Sequence, residues 1–176
     1  MKTNTAFILA LAVLAAPAQV ATSRPAVAQD TATSHCSAGE TVYFSAAVDG
    51  SPKIVSLCGS ADLEGDDAWL QYRFGETGNI ELRYPAENAD FRSAFTVRRY
   101  TRPRTTYLKF DFSNGGYTYA ILEGYDADEN PASTAFLRVR RDSDDEDVAK
   151  FDLTMSSDPL NIMTLEYKVR TEPFDE

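Results

Sequence analysis

A basic and aromatic segment in the middle of the chain holds the residues whose types and spacing could bind a ligand. Its arginines and tyrosines are Arg92, Arg98, Arg99, Tyr100, Arg102, Arg104 and Tyr107. Arginine beside tyrosine can bind a phosphate or a carboxylate through charge-assisted hydrogen bonds, or the face of a sugar through the aromatic ring. The candidate binding residues are Arg98, Arg99, Tyr100, Arg102, Arg104 and Tyr107. The alternative is that these arginines pair with acidic loops of the same chain. Pro103 interrupts the segment, so its middle is predicted to be a loop or an edge strand.

Alternating acidic residues in the second half of the chain resemble the start of a calcium-binding loop. Asp126, Asp128 and Asn130 have the spacing of the first three ligands of an EF-hand. The rest of the pattern fails, because Pro131 stands where the loop needs glycine and Leu137 where it needs glutamate. We interpret the segment as a solvated connection between strands and assign no metal site.

A denser acidic run extends from Asp142 to Asp147 with the sequence DSDDED. Such a run could bind a cation or a basic protein. Acidic runs are more often solvated loops that discourage strands of different molecules from pairing at their edges. We favour that second interpretation.

The chain offers little for histidine-based catalysis. His35 is its one histidine, next to Cys36 in a segment with no evident scaffold, whereas a triad needs a base held against its nucleophile by a third group. Glycoside hydrolysis needs only two carboxyl groups, and the 27 acidic residues keep that reaction as an alternative. Gly-rich phosphate motifs are absent from the sequence. We predict no catalytic residue and no cofactor.

Two cysteines, Cys36 and Cys58, allow a single pairing. In an oxidising compartment an even cysteine count indicates a disulfide. Closing a loop of this length contributes roughly 3 kcal/mol in the chain-entropy picture. A reactive or metal-binding thiol is the alternative, but no CxxC spacing supports it. We predict a disulfide that ties the N-terminal segment to the first strands.

The first 28 residues have the pattern of a secretory signal peptide. Lys2 precedes an apolar run from Phe7 to Ala16, which is too short to span a bilayer as a stable helix. Small-x-small sites place cleavage after Ala28, or alternatively after Ala18. We predict a signal peptide over 1–28, a flexible leader over 29–37 and a single β-domain over 38–176, in the periplasm or secreted.

Net charge limits the partners. Removal of residues 1–28 takes away Lys2 and Arg24, which leaves 15 basic residues of the original 17 against 27 acidic ones, a formal charge of −12. This charge disfavours nucleic acid and anionic lipid and favours cationic partners. Alternatively, it only keeps an exported protein soluble. Neither nucleic-acid binding nor stable membrane insertion is expected.

Alternation of apolar and polar residues dominates the rest of the chain and is typical of half-buried strands. Thr106, Leu108, Phe110 and Phe112 are predicted to share one face of a strand. The alternation over 163–170 predicts a final strand. Turn sequences such as Asn114-Gly115-Gly116 separate the strands. We predict an all-β fold, an antiparallel sandwich or barrel of about nine strands, with at most one helical turn near 86–90.

Four sequence blocks resemble a recurring set in uncharacterised small exported β-rich proteins of Gram-negative bacteria. The blocks are Ser56-Leu57-Cys58-Gly59-Ser60, residues 70–75 (LQYRFG), residues 80–85 (IELRYP) and Asn114-Gly115-Gly116-Tyr117. The likeness covers roughly 40–122. It implies a secreted β-domain and supplies no catalytic residue. Such proteins tend to place a cysteine in the first strand, whereas here the partner cysteine, Cys36, lies earlier.

Together these features favour an exported, non-catalytic binding module of the cell envelope whose loops contact a protein or a glycan. One version is an inhibitor of a cationic cell-wall hydrolase, which an acidic surface would attract. A carboxylate-based glycoside hydrolase and a structural envelope protein are the alternatives.

Overall fold

Strands make up most of the structure, a computed structural model that describes residues 34–86, 89–155 and 161–174. The strands are β1 (Thr41–Val48), β2 (Lys53–Gly59), β3 (Leu70–Glu76), β4 (Asn79–Tyr84), β5 (Thr96–Arg102), β6 (Thr105–Asn114), β7 (Tyr117–Asp126), β8 (Ser133–Arg141), β9 (Glu146–Met155) and β10 (Arg170–Pro173). One short helix, α1 (Phe91–Ala94), and one 3₁₀ turn, Asn161–Leu165, complete the elements. The predicted all-β class is confirmed. The predicted signal peptide and residues 29–33 lie outside the described residues.

All ten strands belong to one hydrogen-bonded sheet in the order β10-β5-β6-β7-β8-β9-β1-β2-β3-β4. The pairs are antiparallel except β10 with β5, which is parallel. The sheet is not closed, because β4 and β10 end the order without pairing to each other. The structure therefore differs in detail from the prediction of about nine strands in a sandwich or barrel, because ten strands form one open sheet.

Strand β9 joins the two halves of the sheet. Its first part pairs with β8 up to Asp152, and its last part pairs with β1 through Leu153 and Thr154. The halves on either side are built mainly from hairpins between consecutive strands, and glycines with positive φ, such as Gly50, Gly78 and Gly115, form three of the turns. Sequence alternation could not reveal that one strand serves both halves.

A single core lies between the two halves. Phe112 of β6 stacks on Tyr84 of β4 with ring centroids 4.4 Å apart and lies 4.9 Å from Tyr72 of β3. Phe95, just before β5, meets Tyr84 edge-on at 5.6 Å. Aromatic rings therefore fill the gap between strands that no backbone hydrogen bond joins, and they bury a large apolar area there. Leu108, Phe110 and Phe112 share the buried face, as the alternation predicts.

The short helical elements close the core and differ from the sequence prediction. Helix α1 begins after Asp90, whose side chain caps it by accepting the Arg92 N–H, so the helical turn lies beyond 86–90. The strand predicted over 163–170 was wrong except for its last residue, because 163–169 form the 3₁₀ turn and a following turn, and β10 begins at Arg170. Ile162 and Leu165 are buried three residues apart while Met163 is exposed, which matches three residues per turn.

The segment that precedes β1 is tied to the first hairpins. Cys36 and Cys58 form the predicted disulfide, which is confirmed. The imidazole Nε2 of His35 lies 3.1 Å from the Ile54 carbonyl oxygen and 3.0 Å from that of Gly75. Residues 34–37 of the predicted leader are thus anchored at several points. Across the described ranges, no helix has the length and apolar character needed to cross a membrane.

Candidate functional site

The outer face of β5 to β8, opposite the core, brings together residues from four strands. Cross-strand pairing sets Tyr100, Tyr107, Gly124 and Thr134 side by side in one row. The hairpin turn at Gly115-Gly116 fixes this register between β6 and β7. Because residues two apart share a face, the next row on this surface contains Leu122 and Phe136. A patch of rings and small side chains results.

Three rings in this patch stand close together. Tyr100 and Tyr107 are nearly parallel, with centroids 6.3 Å apart and an interplanar angle of 18°. Phe174, which follows β10, lies 6.3 Å from Tyr100 and 6.4 Å from Tyr107. Tyr100 remains 43% exposed. The rings are therefore packed against one another and still reachable from solvent.

A cleft of about 630 Å³ opens over this patch, within the range of roughly 300–1,000 Å³ that small-molecule sites occupy. We call it the outer-face cleft. The residues that line it are Tyr100, Arg102, Tyr107, Leu108, Leu122, Glu123, Gly124, Thr134, Phe136 and Phe174. Three of them, Tyr100, Arg102 and Tyr107, are among the residues predicted from the sequence.

Asp126 organises the polar end of the cleft. Its carboxylate accepts hydrogen bonds from the Asp128 amide at 3.0 Å, from the Thr105 hydroxyl at 3.1 Å and from the Tyr107 hydroxyl at 3.4 Å. Arg102 lies 3.2 Å away and completes an ion pair. The carboxylate that resembled a calcium ligand in the sequence is thus engaged by donors of its own chain.

These contacts shift the ionisation of both partners. The Asp128 amide lowers the pKa of Asp126; burial opposes this effect, and the Thr105 hydroxyl and the Arg102 charge add to it. Burial, together with the nearby Asp126 charge, raises the pKa of Tyr107. Asp126 therefore stays ionised to lower pH, and the Tyr107 hydroxyl keeps its proton to higher pH, than each group does in water. The arrangement orients Tyr107 and Arg102 at neutral pH.

The other predicted binding arginines do not line the cleft. Arg98 lies on the same face and pairs with Asp111 and Glu172. Arg99 alternates to the opposite face and lies 3.1 Å from Glu166. Arg104 occupies the hairpin turn with a φ of 68° and pairs with Asp128 at 2.9 Å. Internal pairing, the alternative weighed for these arginines, therefore describes Arg98, Arg99, Arg102 and Arg104.

The acidic run after β8 is also paired. Arg141 contacts Asp144 at 2.8 Å, and Arg140 contacts Asp145 at 2.9 Å. These two consecutive arginines at the end of β8 neutralise part of the loop that follows. This pairing favours the interpretation of the run as a solvated, self-satisfied loop.

A second cleft, of about 670 Å³, lies beside the start of β3 and α1. Its walls include Trp69, the one tryptophan of the chain, and Arg73, whose guanidinium carbon lies 5.7 Å from the centre of the Trp69 ring. Arg73 also binds both carboxylate oxygens of Glu40, at 2.6 and 3.0 Å. Its charge is therefore neutralised, as that of Arg102 is by Asp126, and the cleft is secondary because none of the six predicted binding residues lines it.

Glu40 also belongs to the one group of three potential metal ligands that come together among the described residues, with Cys36 and Cys58. The disulfide engages both sulfurs of this group. Burial raises the pKa of Glu40, but the hydrogen bonds from Arg73 and from the Ser37 amide outweigh it, so the pKa lies below its ordinary value. We interpret the group as a structural anchor that holds the N-terminal segment on β2 and β3.

Comparison with known proteins finds no matching protein-family model, no matching curated protein and no matching solved structure.

Seven of the ten residues that line the outer-face cleft were not predicted from the sequence. The turn Asn114-Gly115-Gly116-Tyr117 sets the register of the hairpin, and that register pairs Tyr107 with Gly124. The turn sequence alone could therefore have predicted this pair. To predict Phe136 and Thr134 as lining residues, the register of β8 against β7 would also have to be known. For Phe174 the sequence contains no signal, because its position depends on the parallel pairing of β10 with β5.

Proposed function

We propose that this chain is an exported, non-catalytic binding module of the cell envelope and that the outer-face cleft is its binding surface. The observation that carries the proposal is the convergence of Tyr100, Arg102 and Tyr107 on one cleft with Phe174. Solvent-accessible rings beside an oriented polar group are the usual composition of a ligand site. The signal-peptide pattern and the disulfide support export, because disulfides persist in oxidising compartments.

The state of the nearby carboxylate favours binding over hydrolysis. A glycosidase needs two carboxyl groups facing the substrate, and one of them needs a raised pKa to act as the acid. Asp126 has a lowered pKa and points its oxygens at donors of its own chain. The carboxyl group of Glu123, which also lines the cleft, alternates to the core face and accepts the Ile162 amide N–H at 3.3 Å. The role of Asp126 in the proposal is to position Tyr107 and Arg102.

The binding proposal is tested by sedimentation of the purified mature chain, residues 29–176, with isolated envelope fragments. We expect the wild type to co-sediment and Tyr100→Ala to remain in solution. Tyr117→Ala is the matched control, since Tyr117 is an exposed tyrosine at the far hairpin. Equal sedimentation of all three proteins, or of none, would contradict the proposal.

The export proposal has a separate test. We expect the full-length chain to be recovered in the periplasmic or extracellular fraction with 28 residues removed, as read by mass spectrometry. Leu11→Arg places a charge inside the apolar run and should retain the precursor in the cytosol. Recovery of an unprocessed wild-type chain in the cytosol would refute export.

A further inference from the structure

We propose that the ligand of the outer-face cleft is an uncharged sugar ring, stacked on Tyr100, Tyr107 and Phe174 with its hydroxyl groups at the Arg102–Asp126 end. This inference rests on the proposed binding function and specifies the chemical class of ligand. It depends on three properties of the cleft: the ring platform, the pairing of the charges, and the mixture of donors and acceptors at its edge.

The ring platform suits a flat molecule with an apolar face. Tyr100, Tyr107 and Phe174 lie 6.3 to 6.4 Å from one another, and two of them are within 18° of parallel. A pyranose ring presents C–H groups on one face, which pack against the negative face of an aromatic ring, while its hydroxyl groups point outward around the rim. Leu122 and Phe136 extend the floor of the cleft, and the Lys150 ammonium lies 4.3 Å from the centre of the Phe136 ring.

The pairing of the charges points to a neutral ligand. Arg102, the arginine that lines the cleft, is bound to Asp126. Arg98 on the same face is bound to Asp111 and Glu172. An anionic ligand would either displace Asp126 from Arg102 and leave that carboxylate unpaired, or share Arg102 with Asp126 and bring a second negative charge close to it. A neutral ligand leaves both pairs intact.

The edge of the cleft offers both donors and acceptors. Arg102 is half exposed and has N–H groups beyond the one that binds Asp126. Tyr107 donates its proton to Asp126, which leaves its oxygen to accept a hydrogen bond, and the exposed Thr134 hydroxyl can do either. A sugar hydroxyl both donates and accepts. A run of consecutive prolines, which also binds aromatic clefts, has backbone acceptors and no N–H donors, so it would leave the Tyr107 oxygen unmatched.

The test screens the mature chain against an array of neutral oligosaccharides, oligosaccharides of uronic acids and proline-rich peptides, followed by calorimetric titration of the hits. We expect binding to neutral sugars that changes little between 50 and 500 mM salt. Tyr100→Ala and Phe174→Ala should each weaken it roughly fivefold, as loss of one stacked ring implies. Tyr117→Ala should bind as the wild type. Trp69 fluorescence should not change, because Trp69 lines the other cleft.

Two outcomes would overturn the inference. One is binding to no neutral sugar on the array; the other is binding confined to uronic acids or peptides. Envelope sedimentation separates this failure from failure of the binding function. If sedimentation needs Tyr100 but survives periodate oxidation of the glycans and is lost after protease treatment, the sugar inference is wrong and the binding function stands. If sedimentation never occurs, the binding function itself is wrong.

Discussion

Tyr107 of β6 lies directly against Gly124 of β7, in a space that a larger residue would occupy. A Cβ atom built at Gly124 would be 3.1 Å from the Cδ1 atom of Tyr107 and 2.9 Å from the Oγ1 atom of Thr134. Contacts this short require the neighbours to move. The missing side chain at Gly124 therefore lets the Tyr107 ring settle between two strands, where it meets Tyr100 and Phe174.

Gly124→Ala should displace the Tyr107 ring and weaken ligand binding more than it weakens the fold. We expect a loss of about 1 kcal/mol in the free energy of unfolding, at the low end for overpacking, measured by urea denaturation. Thr134→Ala removes one of the two obstructing groups, so the double variant should recover part of the loss. Strictly additive effects of the two substitutions would show that the contact is not close.

Asp126→Asn should lower the free energy of unfolding at neutral pH, and the difference from the wild type should disappear in acid. The folded-state pKa of Asp126 is below its ordinary value, so the carboxylate stabilises the fold above about pH 3.9 and loses that contribution as pH falls through the folded-state pKa. Urea denaturation from pH 7 to pH 2.5 should therefore show the wild type and the variant converging at the acidic end. A constant difference across this range would contradict the assignment.

Removal of the disulfide by Cys36→Ala with Cys58→Ala should cost roughly 3 kcal/mol of unfolding free energy, since the two cysteines are 22 residues apart. The loss arises mainly because the unfolded chain gains freedom. In thermal denaturation, a reductant should lower the Tm of the wild type to that of the double variant. The same reductant should leave the Tm of the double variant unchanged. A variant as stable as the wild type would refute a structural role for the bond.

Phe112→Ala should be the most destabilising of these changes, at about 3–5 kcal/mol, because it empties the centre of the core. Phe112 stacks on Tyr84 and Tyr119 at 4.4 and 5.0 Å, so one side chain touches both halves of the sheet. Tyr117→Ala, on the surface, should stay within about 0.5 kcal/mol of the wild type. Denaturant midpoints of the two variants decide the comparison.

Sequence alternation predicted much of the fold because several strands bury every second side chain. Strand β8 is such a case, since Ala135 and Leu137 are buried while Thr134 is exposed, and turn residues marked the ends of the strands. The same two-residue period predicted a strand over 163–169 where none forms. Leu165 is buried there at the end of a 3₁₀ turn, and Val169 is buried where the chain leaves that turn. Alternation over a few residues is compatible with both periods.

Only three of the ten lining residues of the candidate site were predicted, and the reason differs from that for the strand at 163–169. Tyr100 and Tyr107 are close in sequence, and a hairpin centred on Pro103 makes them neighbours. The partner of each arginine depends on the register of strands far apart in the chain: Arg98 meets Glu172, 74 residues away. Such pairings are fixed by tertiary packing, which local residue patterns do not encode.

The shared strand β9 has a consequence for the order in which the protein assembles. Strands β5 to β9 pair with sequence neighbours and can form while the chain is still incomplete. Strand β1 can pair with β9 only after β9 has been synthesised. The Thr154 hydroxyl of β9, for example, donates a hydrogen bond to Asp49, which follows β1 and lies 105 residues earlier in the chain. Until then one edge of β1 stays open to strands of other molecules. A product truncated before residue 153 would keep that edge uncovered and would be prone to aggregate.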